Sequence, residues 1–143
     1  MSMKRYAKKY ADYYARISPE TLNELSAMLE ADVVFIDPFN KLHGRDVMVS
    51  VFEKMFETMT NPQFEILDIA YSEQRAYLKW RMTGVVKAAP KMPFDLIGMS
   101  EVEFNSSGRV VLHHDHWDSA SQLLSFIPYV GWIVRRICRL FSH

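Results

Sequence analysis

The chain has 143 residues, enough for one domain with a substantial core, and its 49% apolar and 24% charged residues are those of an ordinary globular protein. Lys plus Arg and Asp plus Glu both number 17, and this zero formal charge argues against a dedicated nucleic-acid binder, which needs a phosphate-neutralising excess. The single cysteine, Cys138, excludes an internal disulfide framework and a multi-cysteine zinc site, and the expected compartment is a reducing cytoplasm.

The predicted elements begin with an amphipathic helix, in which Tyr6, Tyr10, Tyr13, Tyr14 and Ile17 recur at helical spacing. Ser18-Pro19-Glu20 is a helix start, and Leu22, Leu25 and Leu29 stripe the second helix. Val33 to Ile36 is a short strand closed by Asp37-Pro38, followed by a loop or tight hairpin to Gly44. Asp46 is expected to cap a third helix with a stripe of Met48, Val51, Phe52, Met55, Phe56 and Met59, stopped by Asn61-Pro62. From Phe64 the period changes to two. Strands are predicted over 64–71, 76–86, 94–104 and 109–117, with a hairpin turn at Asn105-Ser106-Ser107-Gly108. Helices followed by long antiparallel strands imply an α+β fold, with a curved sheet wrapped around the helices and a concave, pocket-forming interior.

The charge is unevenly placed. Residues 1–16 carry +4 and residues 119–143 carry +3, which leaves −7 for the stretch between. The plain reading is solvated faces, and the alternative is two basic segments meeting an anionic surface. No signal peptide or membrane span is legible, because the most apolar stretch, Leu123 to Val134, is 12 residues long and contains Pro128 and Gly131.

Two segments could carry chemistry. Asp37 ends an apolar strand and is held extended by Pro38, so it reads either as a general base facing an apolar pocket or as a turn residue capping nearby N–H groups. In His113-His114-Asp115-His116-Trp117-Asp118, alternation puts His113, Asp115 and Trp117 on one face and His114, His116 and Asp118 on the other. A His and an Asp two apart on one face can hold a tautomer and share a proton, and the alternative is a polar lining of a noncatalytic cavity. No metal is expected: the two ligand pairs, His114/His116 and His113/Asp115, point to opposite sides of the strand, even with His43 as a third candidate. There is no Gly-rich phosphate loop and no Ser nucleophile elbow, and no cofactor is expected.

Several of these motifs together carry a resemblance: Asp32-Val33-Val34-Phe35-Ile36-Asp37-Pro38, the helix start Gly44-Arg45-Asp46, the hairpin from Phe104 to Val111, and the His-Trp-Asp strand end. Over about residues 6 to 118 the chain resembles the nuclear transport factor 2-like superfamily, closest to its SnoaL-like and ketosteroid-isomerase-like branch. The resemblance implies a single cone-shaped domain over 1–143, with 119–143 as a helical extension. It implies Asp37 as general base and Tyr13 as donor to a developing enolate oxygen. Ser100 stands where ketosteroid isomerases carry a protonated Asp; it can donate a hydrogen bond but cannot act as a carboxylic acid. The SnoaL-like cyclases use an acid on the last strand, where Asp115 lies. The same register turns His113, Asp115 and Trp117 inward, and Phe35, Phe52, Met55, Trp80 and Val102 are expected to complete an apolar wall. The implied function is binding of a small hydrophobic molecule, with cofactor-free proton transfer of the isomerase, cyclase or dehydratase type. The alternatives are a noncatalytic lipid or small-molecule binder and a protein-interaction module.

The resemblance and the zero charge together suggest a homodimer. The tail from Leu123 is too greasy to be solvated, so it is expected to pack over the domain or into a dimer interface. A basic interfacial helix making peripheral membrane contact is the alternative.

Overall fold

The tyrosine stripe organises the N-terminal half. In the computed structural model, which describes residues 2–142, helix α1 (Met3–Ala15) buries Ala7, Tyr10, Ala11, Tyr13 and Tyr14 along one side. A capping box between Ser18 and Thr21, with Pro19 in the first helical position, starts a single 3-10 turn that leads into α2 (Leu22–Met28). Leu29, expected on this helix, instead opens strand β1 (Leu29–Ile36) and is fully buried opposite Val110. Its place in a sheet core outweighs its helix propensity.

After Asp37 the chain turns into the short β2 (Lys41–His43), which pairs back on β1 as a hairpin. Gly44, at φ 107°, occupies the cap position of α3 (Arg45–Thr58); Asp46 lies inside the first turn, where its charge suits the helix N-terminus but does not cap it. Asn61-Pro62 does not stop this helix. The helix ends at Thr58, and the pair sits within β3 (Met59–Tyr71), where Asn61 adopts φ 52° and the register shifts. The strand accepts a proline there because β3 is a sheet edge and the bulge removes the need for its missing N–H.

The remaining strands, β4 (Arg75–Val86), β5 (Asp95–Phe104) and β6 (Val110–Trp117), follow the predicted alternation. The sheet has six strands in the order β2-β1-β6-β5-β4-β3. All neighbours are antiparallel except β1 and β6, which run parallel with Phe35 beside His113. Bulges in β1, β3 and β6 bend the sheet, and it curves around α1 and α3 without closing. The inward faces carry Leu78, Trp80 and Met82 from β4 and Leu96, Ser100 and Val102 from β5. They meet Tyr10, Leu25, Phe35, Met48 and Phe52 in the core. This is the α+β cone that the sequence implied.

Beyond Trp117 the chain forms α4 (Ser119–Gln122), a 3-10 turn (Leu124–Phe126) and α5 (Val130–Arg139). Asp118 caps α4 by accepting from the Ser121 N–H at 3.0 Å, and the Gln122 side chain bonds both the N–H and the carbonyl of Ile97. The tail does not pack back over its own domain: Trp132, Leu140 and Phe141 are 59%, 78% and 81% exposed. No helix among the described residues is long and apolar enough to cross a membrane.

Candidate functional site

Between the inner sheet face and helices α1 and α3 lies a cavity of about 170 Å³. Of the residues predicted for the site, Asp37, Phe35, Phe52, Met55, Trp80, Ser100, His113, Asp115 and Trp117 all border it. Two do not. Val102 is fully buried in the core one pleat beyond Ser100. Tyr13 points elsewhere, its hydroxyl donating to the Thr21 carbonyl at 3.0 Å. The reason is rotation: neighbouring residues on a helix lie about 100° apart, and the face of α1 turned toward the cavity belongs to Tyr10 and Tyr14. Tyr14 borders the cavity and Tyr10 lies directly behind it.

The cavity is apolar along most of its wall, with Val51, Phe64, Ile66, Leu78, Met82, Phe94 and Leu96 added to the predicted set. Its polar groups are gathered into one network. The Tyr10 and Tyr14 hydroxyls are 2.9 Å apart, and Tyr10 is 2.8 Å from Nδ1 of His113. His113 Nε2 lies 2.7 Å from Oδ1 of Asp115. From the other side, Trp80 Nε1 donates to the Ser100 hydroxyl at 2.9 Å, and Ser100 donates to the same Asp115 oxygen at 2.5 Å. Every link is satisfied when Tyr14 donates to Tyr10, Tyr10 to Nδ1 of His113, and His113 Nε2–H to Asp115, while Trp80 and Ser100 donate inward from β4 and β5. All donors then point toward the Asp115 carboxylate, as expected for a charge held in an apolar surrounding. Burial pushes the Tyr10 and Tyr14 hydroxyls far above the ordinary tyrosine range, so both remain protonated donors.

Strand register builds this arrangement. Ser100 pairs with Asp115 across β5 and β6, and Trp80 pairs with Gly98 across β4 and β5. A Cβ at Gly98 would stand 2.5 Å from the Trp80 ring, so the glycine lets the indole lie flat against β5 and reach Ser100. Asp115 Oδ1 thus has two partners, whereas Oδ2 has none among the described residues, and the side chain is 17% exposed.

Asp37 is differently placed. Its Oδ1 accepts from the backbone N–H of Phe39 at 2.8 Å and of Asn40 at 2.7 Å, and the Asn40 side-chain amide reaches both carboxylate oxygens at 3.1 Å. Of the two readings left open by the sequence, the geometry fits the turn-capping one: both oxygens are committed to the Asp37–Asn40 turn.

The opposite face of β6 presents His114 and His116, with ring centroids 3.8 Å apart. As predicted, they point away from His113 and Asp115. Glu101, paired with His114 across β5 and β6, brings a carboxylate to them, and these three form a grouping with metal-ligand spacing among the described residues. The Glu101 carboxylate is already bridged by the Arg75 guanidinium and lies 3.3 Å from His116 Nε2. Partial burial and the neighbouring His116 lower the His114 pKa below the usual histidine value.

Comparison with known proteins agrees with this architecture. A family model described as the SnoaL-like domain matches residues 10–113. No curated protein matches the sequence. Among solved structures, an NTF2-like protein of unknown function from Burkholderia pseudomallei superposes with a TM-score of 0.73 at 18% identity, covering 90% of this chain and 99% of the other. A protein with a ketosteroid isomerase-like fold from Catenulispora acidiphila, in complex with trimethylamine, superposes with a TM-score of 0.71 at 14% identity, over 87% of this chain and 93% of the other. An LEH-like epoxide hydrolase from M. tuberculosis superposes with a TM-score of 0.67 at 14% identity, over 92% of this chain and 94% of the other. At these identities the likeness is one of fold.

Proposed function

This chain belongs to the SnoaL-like domain family, and from that premise we propose that its cavity takes a small hydrophobic carbonyl compound and that Asp115 acts on it as a cofactor-free general base. The observation that carries the reading is the asymmetric carboxylate: Oδ1 is anchored by His113 and Ser100, whereas Oδ2 has no hydrogen-bond partner among the described residues, on a side chain that borders the apolar cavity. An anchored base with one free oxygen can remove a proton from a carbon next to a bound carbonyl, and the electron pair then moves onto the carbonyl oxygen. The proton stays on Oδ2 until it is returned to the same carbon or to another one, which gives exchange or isomerisation. Tyr14 borders the cavity with a protonated hydroxyl whose partner in the network is the neutral Tyr10, so it can turn its proton toward the developing enolate oxygen. His113 and Tyr10 act through Asp115 and Tyr14 as positioning residues.

The test is hydrogen exchange. A panel of enolisable hydrophobic ketones is incubated with the full chain in deuterated buffer, and loss of the α-proton signal is followed by NMR. Exchange above buffer that falls by two or more orders of magnitude in Asp115→Asn is the expected result. Absence of exchange for every ketone, or equal exchange in the variant, overturns the catalytic assignment. Native mass spectrometry of freshly purified protein then separates the alternative, since a copurified apolar ligand without exchange identifies a noncatalytic binder.

A further inference from the structure

Helix α5 is sorted into two faces. At about 100° per residue, Val130, Ile133, Val134, Ile137, Leu140 and Phe141 fall within an arc of about 120°, counting the helical turn that continues past Arg139. Arg135, Arg136 and Arg139 occupy the opposite side together with Trp132, whose ring lies 5.6 Å from the Arg136 guanidinium carbon. The apolar arc faces outward. Ile133, Ile137, Leu140 and Phe141 are 52%, 53%, 78% and 81% exposed, and Tyr129 at the start of the helix is 88% exposed. The helix is seated instead through Gly131, which is buried against the Ser125 carbonyl so closely that a Cβ would stand 2.3 Å from it.

We propose that α5 lies flat on an anionic lipid membrane, with its apolar arc sunk into the headgroup boundary and with Arg136 and Arg139 meeting lipid phosphates, while Arg135 donates to the Ser125 carbonyl and helps seat the helix. Three observations favour this occupant. Residues 119–143 carry three arginines and no acidic residue, so the segment complements a negatively charged surface. Tyr129, a ring with one polar edge, stands exposed at the start of the helix beside the apolar arc, as is usual at a membrane–water boundary. The ten-residue helix is only about 15 Å long, which suits lying in the plane rather than crossing. The tail leaves the body directly after Trp117, a wall residue of the cavity, so membrane docking would hold that part of the cone near the bilayer.

The experiment is flotation of the full chain with vesicles of phosphatidylcholine alone and of phosphatidylcholine mixed with phosphatidylglycerol. Binding to the anionic vesicles at low salt should exceed binding to the neutral ones by at least about tenfold and should weaken as salt is added. The double change Arg136→Glu, Arg139→Glu should lower anionic binding by about a hundredfold or more, and the corresponding double Lys variant should retain it. Ile137→Asp with Leu140→Asp should abolish binding while leaving the melting temperature unchanged, because both side chains are exposed. Equal partition into both vesicle types, or none into either, overturns the proposal. So does a full-length dimer that ignores vesicles and becomes monomeric in the Ile137→Asp, Leu140→Asp variant, an outcome that assigns the face to a second copy. None of these readouts depends on the chemistry of the cavity.

Discussion

Asp37 follows the last residue of β1 and Asp115 lies near the end of β6, two strands that run parallel side by side, with Ile36 level with His114. Both carboxylates border the same cavity. At Asp37 the chain must reverse within four residues to start β2, and the carboxylate is consumed in holding that reversal. At Asp115 the chain runs straight, and the side chain is gripped at one oxygen by neighbours from β5 and β6 while the other oxygen stays open. The same residue type, on adjacent strands of one cavity, has both carboxylate oxygens engaged in its own turn in one place and only one engaged in the other. Local backbone demand decides which.

The largest effect that could break this contrast is on exchange chemistry. Asp115→Asn should lower α-proton exchange by two to four orders of magnitude, whereas Asp37→Asn, whose amide oxygen can still accept the turn's N–H groups, should lower it by less than about tenfold. A reversed order would move the base to Asp37. Next in size is His113→Leu. It strips Tyr10 of its acceptor and Asp115 of a donor in a largely buried network, and should cost about 3 kcal/mol in denaturant unfolding. A loss under about 1 kcal/mol would mean the network contributes little to folding. Asp37→Ala should cost about 1–2 kcal/mol, since it frees two backbone N–H groups at a half-exposed turn. If its cost equals that of His113→Leu, the difference between turn and buried network disappears.

The smallest effect concerns the cap at the root of the tail. Hydrogen bonds from the Ser121 hydroxyl and N–H hold the Asp118 carboxyl below the usual aspartate range. A group whose folded pKa is depressed stabilises fully above its unfolded value, and that contribution is lost as pH falls through the folded one. Amide exchange protection at Ser121 should therefore be constant near neutrality and fade below about pH 4, and Asp118→Asn should remove this pH dependence. Protection that fades equally in the variant would detach the cap from the titration.

Period and punctuation alone carried much of this molecule. The tyrosine stripe, the Ser18-Pro19 start, the strands after Phe64 and the inward set His113, Asp115 and Trp117 are all written in local spacing, because a pleat alternates strictly and a helix repeats every few residues. Site placement was legible where it followed from alternation, and the sequence motifs also led to the right family. Tyr13 was misplaced because a helix face is resolved only to about one residue in rotation, and the Tyr10/Tyr14 pair, four apart on the same stripe, was the signal available for the correct face.

What the sequence determined by itself is which residues face inward along each element. What only the tertiary structure decided is which elements meet. The parallel pairing of β1 with β6 joins segments far apart in the chain, and no local pattern encodes it. That pairing sets Asp37 beside Asp115, and packing of α1 against the sheet brings Tyr10 to His113. The register of β4 on β5 brings Trp80 to Ser100 across a glycine. Hydrogen-bond partners and burial depend on these long-range choices, so the surroundings of two similar aspartates could be told apart only once the sheet was assembled.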